Sequence, residues 1–219
     1  MDDRFDGRRI PSHWGLYHGR YGSNSRNCAA PSQDFVQNGR LVLLMSYRRH
    51  GVCGSGWYTG GMQVARRFGG VDQTVQVRFR VVATDPAHVY SHRIVPMRWP
   101  SDHRHRWYQG EGDYCEGSRL TGCSTFLHHS TAERVAHRHH SLDLSTWHVI
   151  KAVQRSHRVK VYVDGRLSWD YRGDATTVPS AFKVTVLQQE CPTAGCPSPS
   201  RRGETERVEI DYITIDDPR

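Results

Sequence analysis

Three carboxylates stand within six positions of this chain: Glu111, Asp113 and Glu116, in the run Gly-Glu-Gly-Asp-Tyr-Cys-Glu-Gly at 110–117. The formal net charge is +8, so a general excess of acid does not explain the cluster. On a flat strand, side chains alternate faces, which puts Glu111 and Asp113 on one face and Glu116 on the other. One β-bulge at Tyr114-Cys115 adds a residue and turns Glu116 back onto the shared face. At roughly 5 Å and an effective dielectric of about 20, two such carboxylates repel by about 3 kcal/mol, or about two pKa units. One of the set is therefore expected to hold a proton near neutral pH. An ionised carboxylate beside a protonated one, about 5 Å apart, is the pair that retaining glycoside hydrolysis uses as nucleophile and general acid. A solvated acidic turn or a calcium loop is the other reading of the cluster. Calcium, however, prefers oxygen ligands that are closer, more irregular and more numerous.

The elements around the cluster read as strands. Val75, Val77, Phe79 and Val81 alternate with Gln76, Arg78, Arg80 and Val82, which predicts a half-buried strand with Arg78 and Arg80 on the wetter side. Val159, Val161 and Val163 alternate with Lys160 and Tyr162 before Asp164-Gly165, a hairpin signal. Phe182, Val184 and Val186 alternate with Lys183 and Thr185. Twenty glycines and ten prolines interrupt these runs, and no stretch holds a helical period for three turns. The pattern predicts an all-β sandwich. At 219 residues and 37% hydrophobic content, one domain over 1–219 is expected. The segments 20–32, 128–141 and 191–203 read as loops, the second of them rich in histidine.

Glu-x-Asp-x-x-Glu preceded by Trp99-Pro100 and Trp107 resembles the active-site strand of glycoside hydrolase family 16, the laminarinase, lichenase and agarase-like enzymes. Further pieces resemble the family in the right order: Phe5-Asp6-Gly7 with Trp14-Gly15-Leu16-Tyr17, Trp57-Tyr58-Thr59-Gly60-Gly61, Leu142 to His148, Val161 to Gly165 and Val208 to Ile213. The resemblance implies a concanavalin A-like jelly roll with a concave glycan-binding cleft. It also implies a retaining endo-hydrolase acting on internal β-glycosidic bonds of a polysaccharide.

By that resemblance Glu111 is the nucleophile, Glu116 the general acid/base, and Asp113 the residue that hydrogen-bonds the nucleophile and tunes the set. Gly112 and Cys115 depart from the bulky apolar residues common there; Gly112 is expected to loosen the strand and Cys115 to be held by a disulfide. Trp99 and Trp107, which core packing would equally explain, are expected to stack on sugar rings. His128 sits where the family places a histidine near the nucleophile, and Gln189 on a cleft-lining strand is expected to contact substrate. Ser91-His92-Arg93-Ile94 replaces aromatics usual in the family. The resemblance implies a β-1,3- or mixed-linkage glucan, or an acidic or galactan-type glycan, as substrate. Arg93, Arg98, Arg104 and Arg106 crowd the approach to Glu111, so Arg98 and Arg106 are expected to bind substrate, and guanidinium groups there would favour a sulfated, carboxylated or otherwise acidic glycan. Asp211, with backbone oxygens near Asp6, resembles the family's structural calcium site. No cofactor is expected for catalysis.

Six cysteines in a small β protein suggest disulfides, an oxidising compartment and secretion. Pro-Thr-Ala-Gly between Cys191 and Cys196 can close a tight loop, and Cys115–Cys123 can bridge the turn after the carboxylate strand, which leaves Cys28–Cys53. Cys-x-x-Cys spacing for zinc does not occur, and His137, His139 and His140 lack a fourth metal ligand. The arginines are scattered rather than run together, which argues against a nucleic-acid partner. No apolar run approaches the eighteen or so residues of a membrane helix, and Met1-Asp2-Asp3-Arg4 lacks signal-peptide character, so a soluble monomer with any export signal removed is expected. Two rivals remain: a glycan-binding jelly roll without turnover, and a polysaccharide lyase built on Tyr, His and Arg. Neither uses the three carboxylates.

Overall fold

The computed structural model describes residues 1–20, 28–101, 109–129, 134–175, 177–178, 180–191 and 195–217. In chain order the strands begin with β1 (Asp2–Asp3), β2 (Trp14–Leu16), β3 (Gly19–Arg20), β4 (Cys28–Ala29), β5 (Asp34–Gln37) and β6 (Arg40–Arg48). They continue with β7 (Gly56–Tyr58), β8 (Gly61–Val64), β9 (Thr74–Ala83), β10 (His92–Pro100), β11 (Gly112–Arg119) and β12 (Gly122–His129). The last are β13 (Arg134–Ser141), β14 (His148–Arg155), β15 (Arg158–Val163), β16 (Arg166–Arg172), β17 (Lys183–Glu190) and β18 (Thr205–Asp216). Among the described residues no helix is long and apolar enough to cross a membrane.

Two antiparallel sheets stack face to face. One has the order β16-β15-β14-β9-β18-β6-β5, with β1 and β7 attached at β18 and β6; the other runs β13-β12-β11-β10-β17-β8-β2. Between them lies one apolar cluster drawn from both sheets, including Val77, Phe79, Val81, Ile150, Val161, Ile210 and Ile213 from the first and Met62, Tyr114, Leu127 and Leu187 from the second. The alternation read in β9 holds: Val75, Val77, Phe79 and Val81 are buried, and Arg78 and Arg80 lie on the wetter face. There the guanidinium groups of Arg40, Arg78 and Arg80 lie 5.0, 4.9 and 4.9 Å from the Trp147 ring. Part of the basic charge is thus spent on cation–π packing of the sheet opposite the carboxylates.

β17 departs from its expected pattern. Lys183, Thr185 and Gln189 are buried rather than exposed. Lys183 Nζ donates to Gln154 Oε1 of β14 at 2.9 Å, so the polar face of this strand points into the sandwich. Burial of an ammonium is tolerated only with such a partner.

The histidine-rich stretch expected as a loop is largely strand: β13 pairs with β12 through eight consecutive positions, from Gly122↔Ser141 to His129↔Arg134. Full backbone pairing outweighs the weak strand preference of its Arg and His side chains. All six cysteines are paired, as Cys28–Cys53, Cys115–Cys123 and Cys191–Cys196.

Candidate active site

The inner and outer faces of the second sheet follow from its partners. Arg93 of β10 is ion-paired with Glu206 of β18 in the other sheet, so Arg93 points inward and its neighbours His92 and Ile94 point outward. Arg98 is also inward, donating to Gln73 and to Gly70 O. Met97 and Trp99 are therefore outward. Ile94 stands opposite Glu116, and Met97 opposite Asp113. Cross-strand partners share a face, so Asp113 and Glu116 both point outward although three residues separate them.

A bulge makes this possible. From Asp113 to Glu116, β11 takes three steps while β12 takes two, from Phe126 to Ser124. The extra residue lies at Tyr114-Cys115, where the carboxylate spacing required it. A second bulge matches it: from Ile94 to Met97, β10 takes three steps while β17 takes two, from Gln188 to Val186. The cis Val95–Pro96 peptide lies within that step. The strands β10 and β11 therefore bulge together and stay in register with each other. Cys115, inside the bulge, is tied to Cys123 on β12, which fixes the extra residue against the neighbouring strand.

Gly112 makes room within β11. A Cβ at this position would lie 3.0 Å from Tyr114 Oη and 3.1 Å from its Cζ. The Tyr114 ring is buried beneath the carboxylates, against the space that a larger residue at 112 would fill.

The carboxylates are buried to different degrees: Asp113 and Glu111 are buried, while Glu116 is partly exposed. Burial, then the nearby Asp113 carboxylate, pushes Glu111 up to about 9, with His128 pulling the other way and Glu116 adding to the rise. Burial, then Glu116, also holds Asp113 well above the usual carboxylate range, opposed by His92 and by a hydrogen bond with Glu111. That hydrogen bond raises Glu111 and lowers Asp113, and the two carboxyls share a proton. His128 Nε2 lies 3.1 Å from Asp113 Oδ2, and the His128 amide donates to Glu111 O at 3.0 Å. Glu111, Asp113 and His128 bring ligand atoms within 4.8 Å of one another, the one grouping among the described residues with cation-site spacing. A cation there would have to displace the shared proton.

Glu116 has a different partner, one the sequence did not signal. His92 Nε2 lies 2.7 Å from Glu116 Oε1, and His92 Nδ1 lies 3.0 Å from Glu190 Oε1 on β17. Burial pulls the His92 imidazolium down, but the hydrogen bonds to Glu116 and Glu190 outweigh it and hold the ring up to about 9. At neutral pH both ring N–H groups therefore donate to carboxylates.

Several expected site residues are placed elsewhere. Arg98 is 2% exposed and faces the interior, where burial lowers it to about 10; it does not line the outer face. Arg93 is likewise interior. Gln189 is fully buried, its Nε2 donating to Ser91 Oγ at 3.1 Å, and is out of reach of substrate. The reason is common to all three: strand parity decides the face, whereas residue type alone favours the surface for arginine and glutamine. Trp99 is 37% exposed, on the outer face one position beyond the Arg98↔Gly112 pair and so beside Glu111 in register. Trp107, Arg104 and Arg106 lie outside the described residues. His137 stacks on Phe126 with centroids 5.9 Å apart, His139 meets Ser124, and His140 is buried between Thr125 and Ser168, lowered to about 4 by burial. They do not converge on a metal. Asp211 accepts from Arg78 at 2.6 Å.

The raised Glu111 has a consequence for stability. A carboxyl whose folded pKa lies above its unfolded one contributes stability that is complete below about 4.5 and is lost as pH rises through about 9. At pH 7 this costs on the order of 3 kcal/mol. Glu111→Gln is expected to raise Tm by about 6–12 °C at pH 7 and to leave it near the parent at about pH 4. Thermal melts across that pH range measure it; equal Tm values at pH 7 would show that Glu111 is not strained.

No protein-family model and no curated protein matches the sequence. Solved structures do match over the whole chain. A non-specific endo-β-1,3(4)-glucanase from family GH16, crystallised with 1,3-β-D-cellobiosyl-cellobiose, gives a TM-score of 0.84 at 17% identity, covering 100% of this chain and 93% of that one. The catalytic domain of an endo-1,3-β-glucanase (laminarinase) from Thermotoga petrophila RKU-1 gives 0.82 at 17%, covering 100% and 97%. A laminarinase from Flavobacterium sp. UMI-01 gives 0.81 at 15%, covering 99% of each chain. The jelly-roll sandwich expected from the sequence is thus the fold of this chain.

Proposed function

We propose that this chain is a retaining, endo-acting glycoside hydrolase of the family 16 type that cuts internal β-1,3 or mixed-linkage bonds of a β-glucan. The observation that carries the reading is the paired bulge of β10 and β11, which brings Glu116 onto the face of Glu111 and Asp113. The names of the matching structures, laminarinases and endo-β-1,3(4)-glucanases, support a β-glucan. The inward turn of Arg93 and Arg98 removes two of the four cations that favoured an acidic glycan. Three disulfides support an oxidising, extracellular setting. The carboxylates all come from one chain, consistent with a working monomer.

In the first step Asp113 takes up the proton shared with Glu111, and the Glu111 carboxylate attacks the anomeric carbon. The bond from that carbon to the glycosidic oxygen breaks with its electron pair moving to oxygen, which takes a proton from Glu116. In the second step Glu116 removes a proton from water as the water attacks the same carbon. The Glu111 carboxylate leaves and regains the proton shared with Asp113. Two inversions give net retention. Trp99, exposed beside Glu111, offers an apolar plane for a sugar ring.

Incubation with laminarin, mixed-linkage glucan, galactans and acidic glycans tests the reading. New reducing ends, an early fall in viscosity and a β-anomer formed first by NMR are expected with a β-glucan. Products with unsaturated, ultraviolet-absorbing ends would establish a lyase instead, and binding without new ends a lectin.

A further inference from the structure

Retaining hydrolysis needs two carboxyls, and nothing in that chemistry calls for a histidine clamped between the acid/base and a third carboxylate. This chain has one. His92 bridges β11 and β17, with Nε2 at 2.7 Å from Glu116 Oε1 and Nδ1 at 3.0 Å from Glu190 Oε1. Glu190 is itself held, its Oε2 accepting from Gln188 Nε2 at 3.1 Å. All three charged side chains are about one-fifth exposed, enough shelter to hold one geometry and enough opening to exchange protons. The register explains the convergence: His92 stands opposite Glu190 on one side, and on the other Ile94 stands opposite Glu116.

On the reading of Glu116 as general acid/base, we propose that His92, oriented by Glu190, is a positioning residue that fixes the Glu116 carboxyl and stabilises the carboxylate left when its proton goes to the departing sugar. One Glu116 oxygen is engaged by the ring, which leaves the other for the glycosidic oxygen. When that oxygen takes the proton, the new negative charge on Glu116 meets an imidazolium N–H already in place. Such preorganised donors act on charge that develops in the transition state. Glu190 balances the imidazolium and prevents rotation of the ring. The other ionisable group coupled to this ring is Asp113, also from β11, whose carboxyl the imidazolium lowers. Arg93, the residue after His92 on β10, faces the interior.

The test uses His92→Gln, which keeps a donor but cannot hold a charge, on the intact chain. Loss of the cation removes the charged donor that meets the Glu116 carboxylate as its proton leaves, so kcat/KM on the β-glucan should fall roughly tenfold to a hundredfold. On an aryl β-glycoside with a dinitrophenyl leaving group, which needs little protonation, the change should be under about threefold. The alkaline limb of the kcat/KM profile should move to higher pH. A residue that merely holds the fold would lower both substrates alike and leave the limb in place; that outcome overturns the proposal. Independently of whether the variant folds well, the His92 ring protons of the parent followed by NMR should titrate near 9. The titration should fall by a unit or more in Glu190→Gln. A His92 titration near 6.5 in the parent would also overturn it. Failure of the hydrolase reading looks different: the parent itself then releases no reducing ends from any glycan, and the proposal falls with it.

Discussion

Glu111→Ala is expected to lower turnover of a β-glucan by roughly four or more powers of ten, because a residue that forms the covalent bond acts in the chemical step and not in binding alone. Addition of azide should restore part of the rate and yield a glycosyl azide of inverted anomeric configuration, since azide enters from the face the carboxylate served. The burial that holds Glu111 up to about 9 supports the same assignment: little solvent reaches the site to compete with the small anion. Rate, product and anomeric configuration are each measurable by NMR. Turnover close to that of the parent, without azide, would remove Glu111 from the mechanism.

Glu116→Ala is expected to give the complementary result. Attack on the β-glucan should slow by roughly three or more powers of ten, while formation of the glycosyl-enzyme from a dinitrophenyl glycoside should be little affected, because that leaving group departs without a proton. Azide should now intercept the glycosyl-enzyme and give the retained configuration, which separates this variant from Glu111→Ala by product and not only by rate. Equal loss on both substrates would mean that Glu116 does not supply the proton.

Much of this site was legible because it rests on local spacing. The interval between Asp113 and Glu116 demanded one extra residue if the carboxylates were to converge, and the bulge lies where that count placed it. The disulfide pairs were legible for a similar reason, since short loops restrict which cysteines can meet. What could not be read depends on register between strands distant in sequence. His92, Glu116 and Glu190 come from three strands, and only the pairings His92↔Glu190 and Ile94↔Glu116 bring them together. The inward turn of Arg93, Arg98 and Gln189 is not legible because residue type favours the surface, whereas Glu206, Gln73 and Ser91 supply interior partners from strands and loops distant in sequence. The glycine at 112 answers a need for space by the Tyr114 ring that no local pattern announces.

The paired bulge bears on how such a chain can drift. Substitutions along β10 and β11 change one side chain each, but loss of the single extra residue between Asp113 and Glu116 would remove the bulge, leaving plain alternation that keeps the three carboxylates on one face while putting β11 out of step with β10. Loss in β10 alone would break its step with β11 and part His92 from Glu116. Along these two strands, lineage divergence should therefore tolerate altered letters far better than altered length, and a deletion in one strand would survive only with a matching deletion in the other.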